Sequence, residues 1–329
     1  MISVDIPSWQ TQLRHAIREP KALLKALDLP DALQDRIPRD GAGFSMRVPR
    51  SFVARMRKGD FNDPLLRQVL PVADERTPAP CFATDPVGDL TAMQAPGVIH
   101  KYHGRVLLVT TGACAIHCRY CFRRHLNYQL ANPARDGWSQ AVAYISGDPS
   151  LTEVILSGGD PLSMTDRKLS ALVQVLCEIP HIKRLRIHTR IPVVLPERVD
   201  DALLSWLRAV PIETIMVVHT NHPNEIDRPV AHALHRLNEV TTALLNQTVL
   251  LKGINDAVGP LAQLSQALFA AGTLPYYLHL LDRVQGAAHF EVEQKHAQEI
   301  MAGLRTLLPG YLVPRLVREV PGRAYKLPL

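Results

Sequence analysis

From Arg105 onward, short apolar runs rich in β-branched residues alternate with longer stretches of helical period. This rhythm constrains the fold more than any other feature of the chain. The runs 105–111, 153–157, 184–189, 214–219, 247–251 and 276–281 predict strands. Around them, 139–146, 166–178, 198–208, 229–245, 258–271 and 292–307 predict helices. Continuous apolar strands separated by helices imply a parallel sheet covered by helices. Six βα units in succession imply an α/β fold, a barrel or an open (β/α)6 part-barrel, with any chemistry at the C-terminal ends of the strands.

Residues 1–100 read differently, as a mainly helical N-terminal extension. Helices are predicted at 9–18, 21–27 and 51–58, the last starting at Ser51 as N-cap after Pro49. Residues 71–96 are rich in Pro, Asp and Thr without periodicity, which suggests an ordered loop wrapping the core. The organisation expected is therefore 1–100 extension, 101–310 core and 311–329 C-terminal segment, with a strand at 312–318.

The 329 residues are 47% hydrophobic and 21% charged, which excludes wholesale disorder. No apolar stretch approaches the ~18 residues of a membrane span. The N-terminus lacks a basic stretch and Asp5 interrupts its apolar residues, so no signal peptide and a cytoplasmic location are expected. The net charge of +6 comes from scattered Lys and Arg with only 5% aromatics, a solvated surface and not a nucleic-acid-binding face.

Three of the five cysteines form Cys114-x3-Cys118-x2-Cys121, directly after the first strand of the series. A secreted disulfide scaffold would spread and pair its cysteines. Three close thiolates can bind zinc or an iron–sulfur cluster. Cys81 and Cys177 are isolated and read as inert buried thiols, Cys177 on an apolar helix face. After the second strand comes Ser157-Gly158-Gly159-Asp160, paired glycines that let backbone approach a ligand closely, followed by an acid. The loop His188-Thr189-Arg190 after the third strand is a further candidate. The remaining histidines read as ordinary hydrogen-bonding residues near a polar site.

The cysteine motif with an aromatic before its last Cys resembles that of the radical S-adenosylmethionine (SAM) superfamily. The stretches CAIHCRYCFRR, SGGDPL, RIHTRIPVVLPERV, HTNHPNEI, NQTVLLKGIND, LDRVQGAAHF and YLVPRLVREVPGRAYK resemble the lysine 2,3-aminomutase family within it. They look most like the short branch that makes (R)-β-lysine for modification of elongation factor P. Catabolic lysine 2,3-aminomutases, which tend to extend further at the C-terminus, are the nearest alternative. A radical SAM enzyme acting directly on RNA or protein is the next.

The resemblance implies a radical SAM (β/α)6 part-barrel and three cofactors. A [4Fe–4S] cluster would sit on Cys114, Cys118 and Cys121, with SAM held at Ser157, Gly158, Gly159 and Asp160. Pyridoxal phosphate (PLP) would be carried by Lys326 as the catalytic lysine, with Lys101, Tyr102, Arg105 and Asn221 around it. In the family Arg123 matches the residue that binds the substrate carboxylate, and Asp256 and Asp282 the pair that binds the ε-ammonium of lysine. The same resemblance implies free L-lysine as substrate, a functional link to elongation factor P and its lysyl-ligase, and a flavodoxin-like electron donor. It leaves room for a homo-oligomer.

Overall fold

The computed structural model describes residues 8–38, 43–128 and 138–329. Residues 1–7, on which the expectation about a signal peptide rested, lie outside the described residues. Among the described residues no helix is long and apolar enough to cross a membrane.

One ten-stranded sheet organises the chain. β1 (Met93–Ala95), β2 (Val98–Tyr102) and β3 (Arg105–Thr111) run antiparallel in a meander. β4 (Glu153–Gly158), β5 (Arg184–Thr189), β6 (Glu213–His219), β7 (Ala243–Val249), β8 (Leu274–His279) and β9 (Arg315–Arg318) then continue parallel to β3. β10 (Leu327–Pro328) turns back antiparallel onto β9. Each strand neighbours the next one in the chain, so the crossovers all step one way and the sheet curls as a part-barrel. A doubly wound sheet would reverse its strand order. Among the described residues β1 and β10 do not pair, so hydrogen bonding does not close the barrel.

The strands are not buried equally on both faces. β5 alternates half-buried Arg184, Arg186 and His188 with buried Leu185, Ile187 and Thr189. One face packs on helices such as Asp166–Cys177, which buries Leu169, Leu172, Val173 and Leu176. The other lines a cavity.

Several boundaries differ from the sequence expectation. The helix expected over 229–245 is Arg228–Asn238, capped by Asp227, whose side chain accepts from Val230 N. The residues beyond it form β7, because Ala243–Gln247 pair with Ile215–His219 of β6. Ladder pairing here overrides helical propensity. Ser51 is not an N-cap. The helix is Arg50–Val53 behind Pro49, and the Ser51 hydroxyl donates to Val194 O at 2.8 Å.

The N-terminal extension shares the barrel's core: Trp9, Leu23, Phe52 and Leu66 belong to one apolar cluster with Val106, Leu156 and Leu185. The loop after it crosses the open side of the sheet. Ala83 forms a parallel bridge with Val284, and Gly88, at φ +70°, lies so close to the C-terminal segment that a Cβ would meet Pro321 at 3.3 Å.

Candidate active site

The cavity at the C-terminal ends of the strands has a volume of about 1200 Å³ and collects residues from nearly every strand and from the C-terminal segment. Cys114, Cys118 and Cys121 all line it and none is in a disulfide. Burial pushes the Cys114 thiol well above its ordinary range, with Cys121 and Cys118 adding to the rise. Cys121 is pushed up to about 11, again mainly by burial and then by Cys118. Thiols held in this way stay protonated and inert at neutral pH unless a metal displaces the protons. Among the described residues no three His, Cys, Asp or Glu side chains close around a single ion. Three free thiols on one loop are a donor set that a metal centre can use.

The N-terminal extension clamps this loop. Arg119 is fully buried and donates from Nε and Nη2 to the Glu75 carboxylate at 2.8 and 2.5 Å, while Arg124 Nη2 reaches the same group at 2.7 Å. Both guanidinium groups lie over the Phe44 ring. Arg47 Nη1 donates to Cys114 O at 3.1 Å. Removing one member of such a buried ionic set costs about 3–5 kcal/mol, because the survivors are left unpaired. Arg190 Nη1 contacts Cys118 Sγ at 2.7 Å, and its Nη2 donates to Gln68 and Glu225.

The two glycines serve the same loop. At Gly158, φ +113°, a Cβ would stand 2.8 Å from Thr111 O, and at Gly159 one would stand 2.4 Å from Ala113 O. The close approach that requires glycine is therefore to the cysteine loop itself. Asp160 lines the cavity, but its carboxylate already accepts from Thr189 Oγ1, Arg190 N, Ile191 N and Leu162 N. Burial raises it to about 6 against the pull of those donors.

Arg123 lines the cavity, donating from Nε to Asp89 Oδ2 at 2.7 Å and from Nη1 to Ser157 Oγ at 3.1 Å. Lys101 directs its ammonium at Val87 O, Asp89 Oδ1 and Glu319 Oε1, at 2.8, 2.5 and 2.9 Å. Those three acceptors use all the donors an ammonium has, which leaves none for a phosphate. Arg105, stacked over the Tyr102 ring at 4.7 Å, makes no ion pair among the described residues. Lys326 pairs with Glu319 Oε2, held there because β10 folds the tail back onto β9. Glu319 is drawn down to about 2: burial opposes this, and Lys326 and Lys101 prevail. Asp282 lines the same cavity and goes the other way, pushed up to about 7 by burial and then by Glu319.

Two expected residues are not brought to the cavity. Asp256 caps its own turn, accepting from Gly253 N at 2.8 Å, as an Asp after a strand often does. Asn221 is 2% exposed beneath the site, donating to Gln68 and Tyr120 and accepting from Val249 N. Glu319 stands instead beside Asp282, and the signal for it was an acid one residue past a predicted strand. Gln247, Tyr276, Tyr277, His188, His219 and His279 also line the cavity. Burial lowers the three histidines and keeps them neutral, and among the described residues the buried Nε2 atoms of His188 and His279 have no partner. Asp89 gave no signal, because it lies in a loop without periodicity.

None of the known protein-family profiles matches the chain. It is 47% identical over 334 residues to the L-lysine 2,3-aminomutase of Escherichia coli, covering 100% of this chain and 97% of that protein. It is 47% identical to that of Haemophilus influenzae, over 97% of this chain and 94% of that one. With that of Clostridium subterminale it shares 33% over 99% of this chain and 78% of that protein. A radical SAM methyltransferase from Sphaerobacter thermophilus superposes with a TM-score of 0.47 at 16% identity, over 67% of this chain and 68% of that one.

Proposed function

The chain belongs to the L-lysine 2,3-aminomutase family of isomerases, and from that premise we propose that it converts free L-lysine to (R)-β-lysine destined for elongation factor P. The reading includes a [4Fe–4S] cluster, SAM and PLP, with electrons from a flavodoxin-like donor. One observation carries it: a single cavity gathers the Cys114, Cys118 and Cys121 thiols, the Arg123 guanidinium, the Asp282 and Glu319 carboxylates and the Lys326 amine.

The donor set suits these groups. Cys114, Cys118 and Cys121 would hold the cluster, and the wall Ser157–Asp160 lies beside them for SAM. Asp160 itself is spent on four protein donors, so its contact to SAM would replace one of them. For PLP, Lys326 would carry the cofactor and Arg105, without an ion pair among the described residues, its phosphate. The unpartnered Nε2 atoms of His188 and His279 are buried polar groups that a ligand would satisfy. When bound, these groups supply the one-electron and electron-sink chemistry that moving an amino group between adjacent carbons requires.

This chain's own residues bind and orient. Arg123 would hold the substrate carboxylate. Asp282 and Glu319, not Asp256, would receive the ε-ammonium, because these two carboxylates share the cavity. Sequestration in the barrel mouth excludes water from the reacting carbons.

The reading predicts that anaerobically reconstituted protein converts L-lysine to β-lysine and that chiral analysis finds the R product. Turnover only of lysyl groups already on elongation factor P, or S product, would refute the proposed substrate or branch. A further expectation concerns pH. The Asp282 carboxyl, raised to about 7, becomes neutral as pH falls through that value and loses its attraction for an ammonium. Lysine affinity should therefore fall below about pH 7, and Asp282→Asn should flatten that dependence. The same substitution should weaken lysine by about 10–150-fold at pH 8, the worth of a charge-assisted hydrogen bond of about 1.5–3 kcal/mol. Unchanged affinity across pH 6–8 in the parent would remove Asp282 from the ammonium site.

A further inference from the structure

Five charged side chains alternate in sign along one wall of the cavity: Arg123, Asp89, Lys101, Glu319 and Lys326. They come from the cysteine loop, the loop 85–90, β2 and the segment after β9. Because β1 and β10 do not pair, Lys101 and Glu319 stand on opposite sides of the open seam, and their ion pair bridges it. Asp89 is the link on which the substrate side of this chain depends. It is 3% exposed, and its two oxygens are divided, Oδ2 to Arg123 at 2.7 Å and Oδ1 to Lys101 at 2.5 Å.

The backbone that carries Asp89 is itself fixed. The Asp85 carboxylate accepts from Asp89 N and Leu90 N, both at 2.9 Å. Val87 O accepts from Lys101, and Gly88 is pressed against Pro321 five residues before Lys326. One short loop thus touches the carboxylate-binding side and the lysine-bearing tail. On Arg123, Asp89 takes Nε and Ser157 takes one hydrogen of Nη1, and Nη2 has no partner among the described residues. A guanidinium held at both Nε and Nη1 is fixed in its plane and presents Nη2 as a preset donor for a second carboxylate.

We infer that Asp89 is a positioning residue for substrate recognition: it holds Arg123 so that its Nη2 is left for the amino acid carboxylate, and through Lys101 it ties that donor to the Glu319–Lys326 segment. This rests on the reading of Arg123 as the carboxylate-binding group. A purely structural ion pair would, when lost, weaken every ligand of the cavity alike. A positioning role discriminates, because only a ligand that carries a carboxylate uses that donor.

The test uses reconstituted holoenzyme without SAM, so that nothing turns over. The PLP absorbance is titrated with L-lysine and with cadaverine, which lacks only the carboxylate. Asp89→Asn is expected to weaken L-lysine by about tenfold or more and cadaverine by less than about twofold, with iron and PLP content unchanged. Asp89→Glu should recover most of the loss. Equal weakening of both ligands, or of neither, overturns the proposal. If Asp89→Asn fails to retain its cofactors, Asp89→Glu carries the test. Displaced by one methylene, it should weaken lysine by about threefold and spare cadaverine, and equal effects again overturn the proposal. Arg123→Ala separates the two levels. If it abolishes the preference for lysine while Asp89→Asn does not, only the positioning role fails. If Arg123→Ala leaves the preference intact, the assignment of Arg123 fails and the positioning role goes with it.

Discussion

Alanine at Cys114, Cys118 and Cys121 together is expected to give a folded chain that binds no iron and turns over no lysine. The thiols are not needed for the fold. None is in a disulfide, and their loop is held by Glu75 on Arg119 and Arg124 and by Arg47 on the Cys114 carbonyl. The triple variant should therefore melt close to the ligand-free parent while activity falls to background. Metal analysis of the anaerobic parent should give about four irons per chain. Stoichiometric zinc with no iron, or lysine turnover by the triple variant, would end the cluster assignment.

Lys326→Ala should abolish turnover equally and leave the cluster in place. Two amines line the cavity, Lys101 and Lys326. Lys101 spends its three donors on Val87, Asp89 and Glu319, whereas Lys326 has one ion pair, to Glu319. A lysine that must bond covalently to an aldehyde has to give up its proton and its partner, and Lys326 gives up least. Borohydride reduction of the holoenzyme should fix PLP on a C-terminal peptide containing Lys326, and the alanine variant should purify without the cofactor's absorbance. Label on Lys101, or on the exposed Lys252 or Lys295, would refute the assignment and leave family membership untouched.

The expected positions differ in how they fared, for reasons that can be traced. That Cys114, Cys118 and Cys121 come together at one cavity could be read because their spacing within one loop survives any detail of folding. The ends of β3 and β5 were readable because β-branched apolar runs leave little choice of conformation, whereas β7 and β8 lie two to four residues earlier than the runs 247–251 and 276–281 suggested. Asp256 was misleading for the same local reason that drew attention to it: an acid after a strand has a backbone N–H within reach, and here it takes Gly253 N. Glu319 was passed over although its local signal matched that of Asp282. Only the addition of β9 beside β8 shows that the two acids face one space.

The sequence alone determined what depends on near neighbours in the chain. It settled the βα rhythm, the thiol loop after β3 and the glycines at the end of β4, and its local motifs carry the family. Tertiary structure alone decided which charges meet. Arg123 with Asp89, Lys101 with Glu319 and Glu75 with Arg119 are separated by 34, 218 and 44 positions. Pairings of that kind have no periodicity, since they follow from where an open sheet brings its two edges. Their strength comes from burial, which turns contacts of little worth in water into the interactions that orient a site.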